Sequence, residues 1–358
     1  MRKILILCLL SISFSGVLAQ QVIENPEKPL SQNAGRTVRL QEVLRIKDEG
    51  KGFYFKEPWG LNVAPDGSIF VQDGRALYKF TSGGRFDGNL IKIGQGPGEI
   101  SSDISSDFLV NDTEVLLLSA PIKLLKIDLA GKLLKEWIFG KSPFFRLIAF
   151  YDQKYYVLNQ HRNFERTTGL KDVDLDLFLL NEDGTSHQTP CSLKTQVYLE
   201  ATARGSHWND ITKLNISKES GGFLYIANTQ EYQIKQLDLK KAEISRIFSR
   251  SYPRVKYQKK NPRDRREMPA FDNDVYRLLV YKDQVWVLTS TYDPNKGILV
   301  DVFDAYGKYL DNFWLSLLNI RTGDTFYQRY FPVIIQGDYL YAIEHDADWA
   351  YSIAKYQI

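Results

Sequence analysis

The sequence predicts an all-β fold, a six-bladed β-propeller closed by an N-terminal strand in the last blade. Three observations predict it: a unit of short strands and glycine turns over residues 57–99, degraded copies of that unit along the rest of the chain, and an isolated strand near the N-terminus. No single unit of this size can bury a hydrophobic core by itself, so the copies must pack against one another. The 358 residues include 21 Tyr, 20 Phe and 6 Trp, a composition that favours one large β domain.

The first unit shows the pattern most clearly. A turn at 65–67, with the sequence Pro-Asp-Gly, precedes a β-rich run at 68–72, and a second run at 75–81 ends at the Gly-Gly turn at 83–84. Gly accepts positive φ and Pro presets φ near its turn value, so both residue types mark chain reversals. Residues 89–93 then alternate between two faces, as expected for the outer strand of a blade.

Five later units repeat this order with less regular sequences. Their first turns are separated by 40 to 70 residues, which accommodates one blade and a loop of variable length. The sixth unit ends at Ile358 without an outer strand, and the strand predicted over 37–46 has no hairpin partner. Placing residues 37–46 in the sixth blade explains both features. The alternative fold, an open β-sandwich with irregular loops, leaves that strand unexplained.

The N-terminus is predicted to be a signal peptide over residues 1–19. Arg2 and Lys3 precede the apolar stretch 4–18, and a small-residue cleavage site comes before Gln20. We therefore expect an exported protein, periplasmic or extracellular. No other run reaches the roughly 18 apolar residues of a membrane span, so no transmembrane segment is expected.

Two further regions follow the predicted cleavage site. Residues 20–35 are polar, contain two prolines, and are predicted to form a flexible leader. Residues 36–358 then form the propeller domain. Cleavage removes Cys8 and leaves Cys191 alone, so the packed core rather than an internal disulfide must stabilise the fold.

Charge is nearly balanced over the chain but unevenly distributed along it. The whole sequence carries +3, whereas residues 250–267 have eight Lys/Arg and two Asp/Glu. We expect this segment to be a long exposed loop between blades, either simply solvated or in contact with a polyanion such as an acidic glycan or lipid headgroups. Export and the balanced charge of the remainder argue against nucleic acid as a partner.

Two segments of the first unit resemble a known family. Gly-Gln-Gly-Pro-Gly-Glu at 94–99 and Ala-Pro-Asp-Gly-Ser-Ile-Phe-Val at 64–71 are similar to the exported bacterial six-bladed propellers related to NHL-repeat and TolB-like proteins. The resemblance implies the fold and leaves the activity open, because such families include lactonases, lyases and binding modules. The 94–99 segment lacks the Gly-Lys-Ser/Thr of a phosphate loop. We expect it to carry the chain from the outer strand of one blade to the inner strand of the next.

Residues just ahead of the inner strands define the candidate site, because the inner strands of a propeller all begin around one channel. Guanidinium and aromatic groups there are typical of sites that bind sugars or carboxylates. The predicted ligand-binding residues are Trp59, Arg146, His207, Trp208, Arg329 and Tyr330. Resemblance to gluconolactonase-type propellers implies a second set, of hard oxygen ligands suited to Ca²⁺. The predicted metal ligands under that alternative are Glu57, Asn209 and Asp274.

The expected function is that of an exported binding module. It recognises a glycan, a small anionic ligand or an envelope protein at the channel face, without catalysis and without a cofactor. The alternative is a metal-dependent lactonase or lyase with carboxylates at the channel mouth, and a scaffold for envelope assembly is a third hypothesis. The four histidines show no paired ligand spacing and no Gly-x-Ser-x-Gly is present, so the sequence names no catalytic group.

Overall fold

The computed structural model describes residues 21–48, 50, 52–100, 108–119, 123–139, 144–161, 167–202, 205–257, 269–316, 332–346, 348 and 350–358. The predicted signal peptide, residues 1–19, lies outside these ranges. Within them the chain is all-β, and it contains no helix that is long and apolar enough to cross a membrane.

Six sheets of four or five strands form the blades of a β-propeller, which confirms the predicted fold class. Three strands precede the first blade: β1 (Gln21–Asn25), β2 (Arg36–Arg39) and β3 (Gln41–Lys47). Blade 1 contains β4 (Pro58–Val63), β5 (Ile69–Asp73), β6 (Ala76–Phe80) and β7 (Phe86–Asn89). A short parallel pair then leads to blade 2: β8 (Lys92–Ile93) and β9 (Glu99–Ile100).

Blades 2, 3 and 4 follow in sequence, each running from its inner to its outer strand. Blade 2 contains β10 (Leu109–Val110), β11 (Glu114–Ser119), β12 (Lys123–Asp128) and β13 (Leu133–Ile138). Blade 3 contains β14 (Phe144–Tyr151), β15 (Lys154–His161), β16 (Gly169–Leu180), β17 (Ser186–Thr202) and β18 (Gly205–Asp210). Blade 4 contains β19 (Asn215–Ile216), β20 (Phe223–Ala227), β21 (Ile234–Asp238) and β22 (Glu243–Arg250).

Blades 5 and 6 complete the ring. Blade 5 contains β23 (Val275–Tyr281), β24 (Gln284–Asp293), β25 (Gly297–Asp304) and β26 (Tyr309–Ser316). Blade 6 contains β27 (Val333–Gln336), β28 (Tyr339–His345) and β29 (Tyr351–Gln357). Its outer strand is β3, which pairs antiparallel with β29 so that Ile46 lies opposite Ile353. The predicted closure of the ring by an N-terminal strand is therefore confirmed.

The segment predicted as a flexible leader is partly a strand. β1 adds to the outer edge of blade 4, parallel to β22, and β2 adds to the outer edge of blade 5, parallel to β26. Asn25 fixes the end of β1 because its side-chain amide donates to the carbonyls of Ser249 and Gly307, both at 2.9 Å, and accepts from the amide of Tyr309 at 3.0 Å. The single strand predicted over 37–46 is thus two strands, β2 and β3, which edge different blades.

The hydrophobic core is divided among the interfaces between neighbouring blades. Each of the six clusters in the described residues takes side chains from two adjacent blades. Phe70 and Leu117 share the cluster between blades 1 and 2, and Leu177 and Leu224 share that between blades 3 and 4. Such a ring is stabilised by its repeated interfaces between blades. The core residues lie at these interfaces, and the inner strands surround the centre of the ring.

Candidate functional site

The inner strands surround a central channel that contains a cavity of about 270 Å³. Every blade contributes to its lining. We call the end of the channel where the inner strands begin the start end, and it is lined by Trp59, Phe108 and Pro332. We call the opposite end, where each inner strand leads into the first turn of its blade, the turn end, and it is lined by Pro65 and Asp112. The volume is near the lower limit of typical ligand pockets, which hold roughly 300–1,000 Å³, so the channel suits a small molecule.

Hydrogen bonds between neighbouring inner strands hold the channel wall. In each of four blades a polar side chain donates to a backbone carbonyl of the next blade. The bonds are Asn62 Nδ2 to Phe108 O (3.1 Å), Arg146 Nη1 to Leu214 O (3.0 Å), Asn215 Nδ2 to Val275 O (3.0 Å) and Arg277 Nε to Val333 O (3.3 Å). Two of these donors are cations, so the fold itself places positive charge in the channel wall.

Three cationic side chains line the cavity: Arg146, Lys218 and Arg277. Arg146 is only 7% exposed, and its position near the beginning of β14 sets it toward the start end. Lys218 follows β19 at the turn end. Partial burial lowers the pKa of the Lys218 ammonium, and the nearby carboxylates of Glu219 and Asp112 act in the opposite direction. The cavity therefore has two arginines toward its start end, and at its turn end one lysine beside two carboxylates.

Two of the predicted ligand-binding residues, Trp59 and Arg146, line this cavity. His207 and Trp208 lie instead on β18, the outermost strand of blade 3, opposite residues of β17. Trp208 packs against the core between blades 3 and 4. The inner strand of blade 4 begins only at Asn215, because the chain up to Asp210 pairs with β17 as the outermost strand of blade 3. The other two predicted residues, Arg329 and Tyr330, lie outside the described residues.

The predicted metal ligands are found in three different settings. The backbone amide of Glu57 donates to the Asp73 carboxylate at 3.0 Å, and Asn209 lies on β18. Asp274 is 1% exposed and pairs with Arg254, whose Nε lies 3.1 Å from its Oδ2. Among the residues described, no three His, Cys, Asp or Glu side chains are grouped closely enough to hold a metal ion. The Ca²⁺ site stays a prediction.

Two arginines of the basic segment 250–267 form ion pairs with carboxylates of the protein itself. Arg250 pairs with Asp301 at 2.8 Å, and Arg254 pairs with Asp274. Residues 258–268 lie outside the described part of the chain. The positive charge that this segment can offer to a polyanion is therefore lower than the sequence count indicates.

The segment 94–99 lies between the outer strand of blade 1 and the inner strand of blade 2, as predicted. Its amides are already bonded to carboxylates of the protein: Gly96 N donates to Glu99 Oε2 at 2.9 Å and Gly98 N to Glu136 Oε2 at 2.7 Å. The ammonium of Lys123 donates to two of its carbonyls, at 3.0 and 3.2 Å. These bonds give the motif a structural role in joining two blades.

Lys218 and Arg277 are channel residues that sequence reasoning missed. Arg277 could have been found from the sequence, because it is the only charged residue in the apolar run Val-Tyr-Arg-Leu-Leu-Val-Tyr of β23. Arg146 occupies a similar place in β14. No sequence pattern indicates Lys218, because it lies in a polar loop after a strand of two residues.

No family model matches this chain, and no curated protein matches it. Solved structures do. A protein from Bacteroides fragilis described as exported aligns over 94% of this chain and 99% of its own, with 12% identity and a TM-score of 0.54. BamB from Moraxella catarrhalis aligns over 89% and 100%, with 9% identity and a TM-score of 0.42. A streptogramin B lyase aligns over 88% and 97%, with 10% identity and a TM-score of 0.44. At such identities the first similarity supports the fold alone.

Proposed function

We propose that this chain is a binding module that holds a small anionic ligand in its central channel. The observation that carries the proposal is the convergence of Arg146, Lys218 and Arg277 on one cavity to which all six blades contribute. A guanidinium presents several donors in a plane, which suits carboxylate and phosphate groups, and an ammonium adds a compact charge. The ligand is therefore a small molecule that bears a carboxylate or a phosphate, an acidic sugar included.

The aromatic ring of Trp59 at the start end supports a ligand with an organic body as well as a charge. Trp rings stack on sugar and other flat apolar surfaces while the charged groups make directional bonds. Residues deeper in the wall, such as Leu61 and Ile148, add apolar surface. The channel thus combines a few polar anchors with an apolar wall, the usual composition of a ligand pocket.

The proposal includes an exported location and a relationship to a family of propellers. The N-terminal signal pattern supports export to the periplasm or beyond, and the bacterial structure described as exported has the same fold. The segments 94–99 and 64–71 support kinship with the NHL-repeat and TolB-like propellers. The proposed binding role needs no metal.

Isothermal titration calorimetry tests the proposal with succinate, citrate, glucuronate, inorganic phosphate and neutral glucose. We expect at least one anion to bind and glucose to fail. Arg277→Gln is expected to lower the affinity for that anion by about tenfold or more, since a charge-assisted hydrogen bond contributes roughly 1.5–3 kcal/mol. Lys240→Met, on an exposed turn of blade 4, is the matched charge control.

Two outcomes contradict the proposal. One is that no anion of the panel binds at millimolar concentration. The other is that Arg277→Gln and Lys240→Met lower affinity equally, which indicates a general charge effect at the surface. Repeating the titration with added Ca²⁺ examines the enzyme alternative, because anion binding that requires the ion favours a metal site.

A further inference from the structure

Lys218 crosses the channel from one side to the other. It follows the inner strand of blade 4, and its ammonium lies 2.5 Å from Gln336 Oε1 on blade 6 and 3.4 Å from the carbonyl oxygen of Val63 on blade 1. In a ring of six blades, blade 1 is directly opposite blade 4. A side chain from blade 4 that reaches blades 1 and 6 therefore spans the opening.

The crossing is at one end of the channel. Val63 is the last residue of β4 and Gln336 is the last residue of β27, while Lys218 comes two residues after the end of β19. All three positions belong to the turn end. The two arginines of the channel lie near the beginnings of their strands, so they are displaced toward the opposite end.

We propose that Lys218 closes the turn end of the channel, so that a ligand enters from the start end and stops against the Lys218 ammonium. The second half of this inference rests on the proposed function, and the first half does not. Two acceptors on different blades hold the ammonium in place, which leaves one of its three N–H donors for a ligand. Lys218 keeps solvent-exposed surface, as a residue at a channel mouth does.

The charges around Lys218 favour the same direction of entry. Asp112 and Glu219 lie near its ammonium and line the turn end. An anion that approached from this side would meet the two carboxylates together with the lysine. An anion that approached from the start end would meet Arg146 and Arg277, with no carboxylate among the described lining residues at that end.

Thiol labelling tests the closure without any ligand. The background is Cys191→Ser in the mature protein, because Cys191 is buried and is the one cysteine that follows the predicted cleavage site. Ile216→Cys, with Ile334→Cys as the second choice if the first does not fold, places a thiol in the cavity wall. We expect Lys218→Ala to raise the labelling rate of this thiol several-fold and Lys240→Ala to leave it unchanged. Trp59→Cys at the start end should be labelled equally fast with and without Lys218.

An unchanged rate at Ile216→Cys in the Lys218→Ala variant overturns the proposal. An equal increase at Trp59→Cys also overturns it, because it shows general loosening of the ring. Calorimetry on Lys218→Ala then addresses the ligand, with a several-fold loss of anion affinity expected. If labelling follows the prediction and no anion of the panel binds even the unmodified chain, the closure stands and the proposed function fails.

Discussion

Arg250 and Asp301 form an ion pair between blades 4 and 5, with 2.8 Å between Nε and Oδ2 and side chains only 3% and 0% exposed. The hydroxyls of Tyr232 and Tyr309 donate to the same carboxylate at 2.7 and 2.6 Å. Burial raises the pKa of both phenols, so they remain neutral donors. The guanidinium also lies over the rings of these tyrosines. A buried charge pair is thus fully enclosed by groups that satisfy it.

Removing one partner of this pair is predicted to be strongly destabilising. Arg250→Met leaves the Asp301 carboxylate buried without its cation, and breaking such a pair typically costs about 3–5 kcal/mol. Urea denaturation of the single variant measures the loss. The double variant Arg250→Met with Asp301→Leu is expected to recover part of it, because no buried charge then remains. Equal stability of the single and double variants would contradict this account.

Asn25 is predicted to fasten the N-terminal segment to two blades. Asn25→Ala removes three hydrogen bonds to blades 4 and 5. Each is partly buried, so the loss is expected to be about 1–3 kcal/mol in total. Amide hydrogen exchange along β22 should accelerate, because β1 covers that edge. Glu24→Ala, at an exposed neighbouring position of β1, is the control and should leave exchange unchanged.

Much of the fold could be predicted because its signals are local. Glycine turns such as Gly67, with φ of 86°, and alternating strands mark each blade without reference to the rest of the chain. The strand over 37–46 and the incomplete last blade together predicted ring closure. Parallel edge strands such as β1 carry no comparable signal, because five residues with no adjoining hairpin do not indicate which sheet edge they join.

The site was less predictable because it depends on register. The residues that the sequence placed just ahead of the inner strand of blade 4 form β18, which pairs with β17, and His207 and Trp208 therefore lie away from the channel lining. Arg146 lines the channel cavity, and it is the only charged residue in the otherwise apolar strand β14. Lys218 reaches the channel through the path of its loop, which no local pattern encodes.

A side chain at Gly94 is predicted to displace the Glu99 carboxylate in the loop at 94–99. A Cβ there would overlap the carboxylate of Glu99, which accepts a hydrogen bond from Gly96 N. Displacing that carboxylate leaves an amide unpaired, so Gly94→Ala is expected to destabilise by roughly 1–3 kcal/mol. Gly83→Ala, where a Cβ meets open space, is the control and should change the unfolding midpoint little. Equal effects of the two substitutions would show that backbone freedom, rather than this contact, decides the result.

Asp274 is predicted to make a contribution to folding stability that decreases as the pH rises from about 4 to about 6. Burial raises the pKa of its carboxyl to about 6, against a usual 3.8, although the Arg254 guanidinium acts in the opposite direction. The folded state therefore holds this proton more tightly than the unfolded state, so stability is greatest below the unfolded pKa and is lost as pH rises to the folded pKa. Two pKa units correspond to about 3 kcal/mol.

Denaturation of the unmodified chain and of Asp274→Asn at pH 4.5 and pH 7 isolates this contribution. The amide does not titrate, so the stability of Asp274→Asn relative to the unmodified chain should increase as pH rises. A constant difference between the two proteins would mean that Arg254 holds the carboxylate ionised at both pH values. The same two proteins bear on the metal alternative. If the Arg254 ion pair occupies the carboxylate, adding Ca²⁺ at pH 7 should shift the unfolding midpoint of neither, whereas a shift confined to the unmodified chain would assign Asp274 to a metal site.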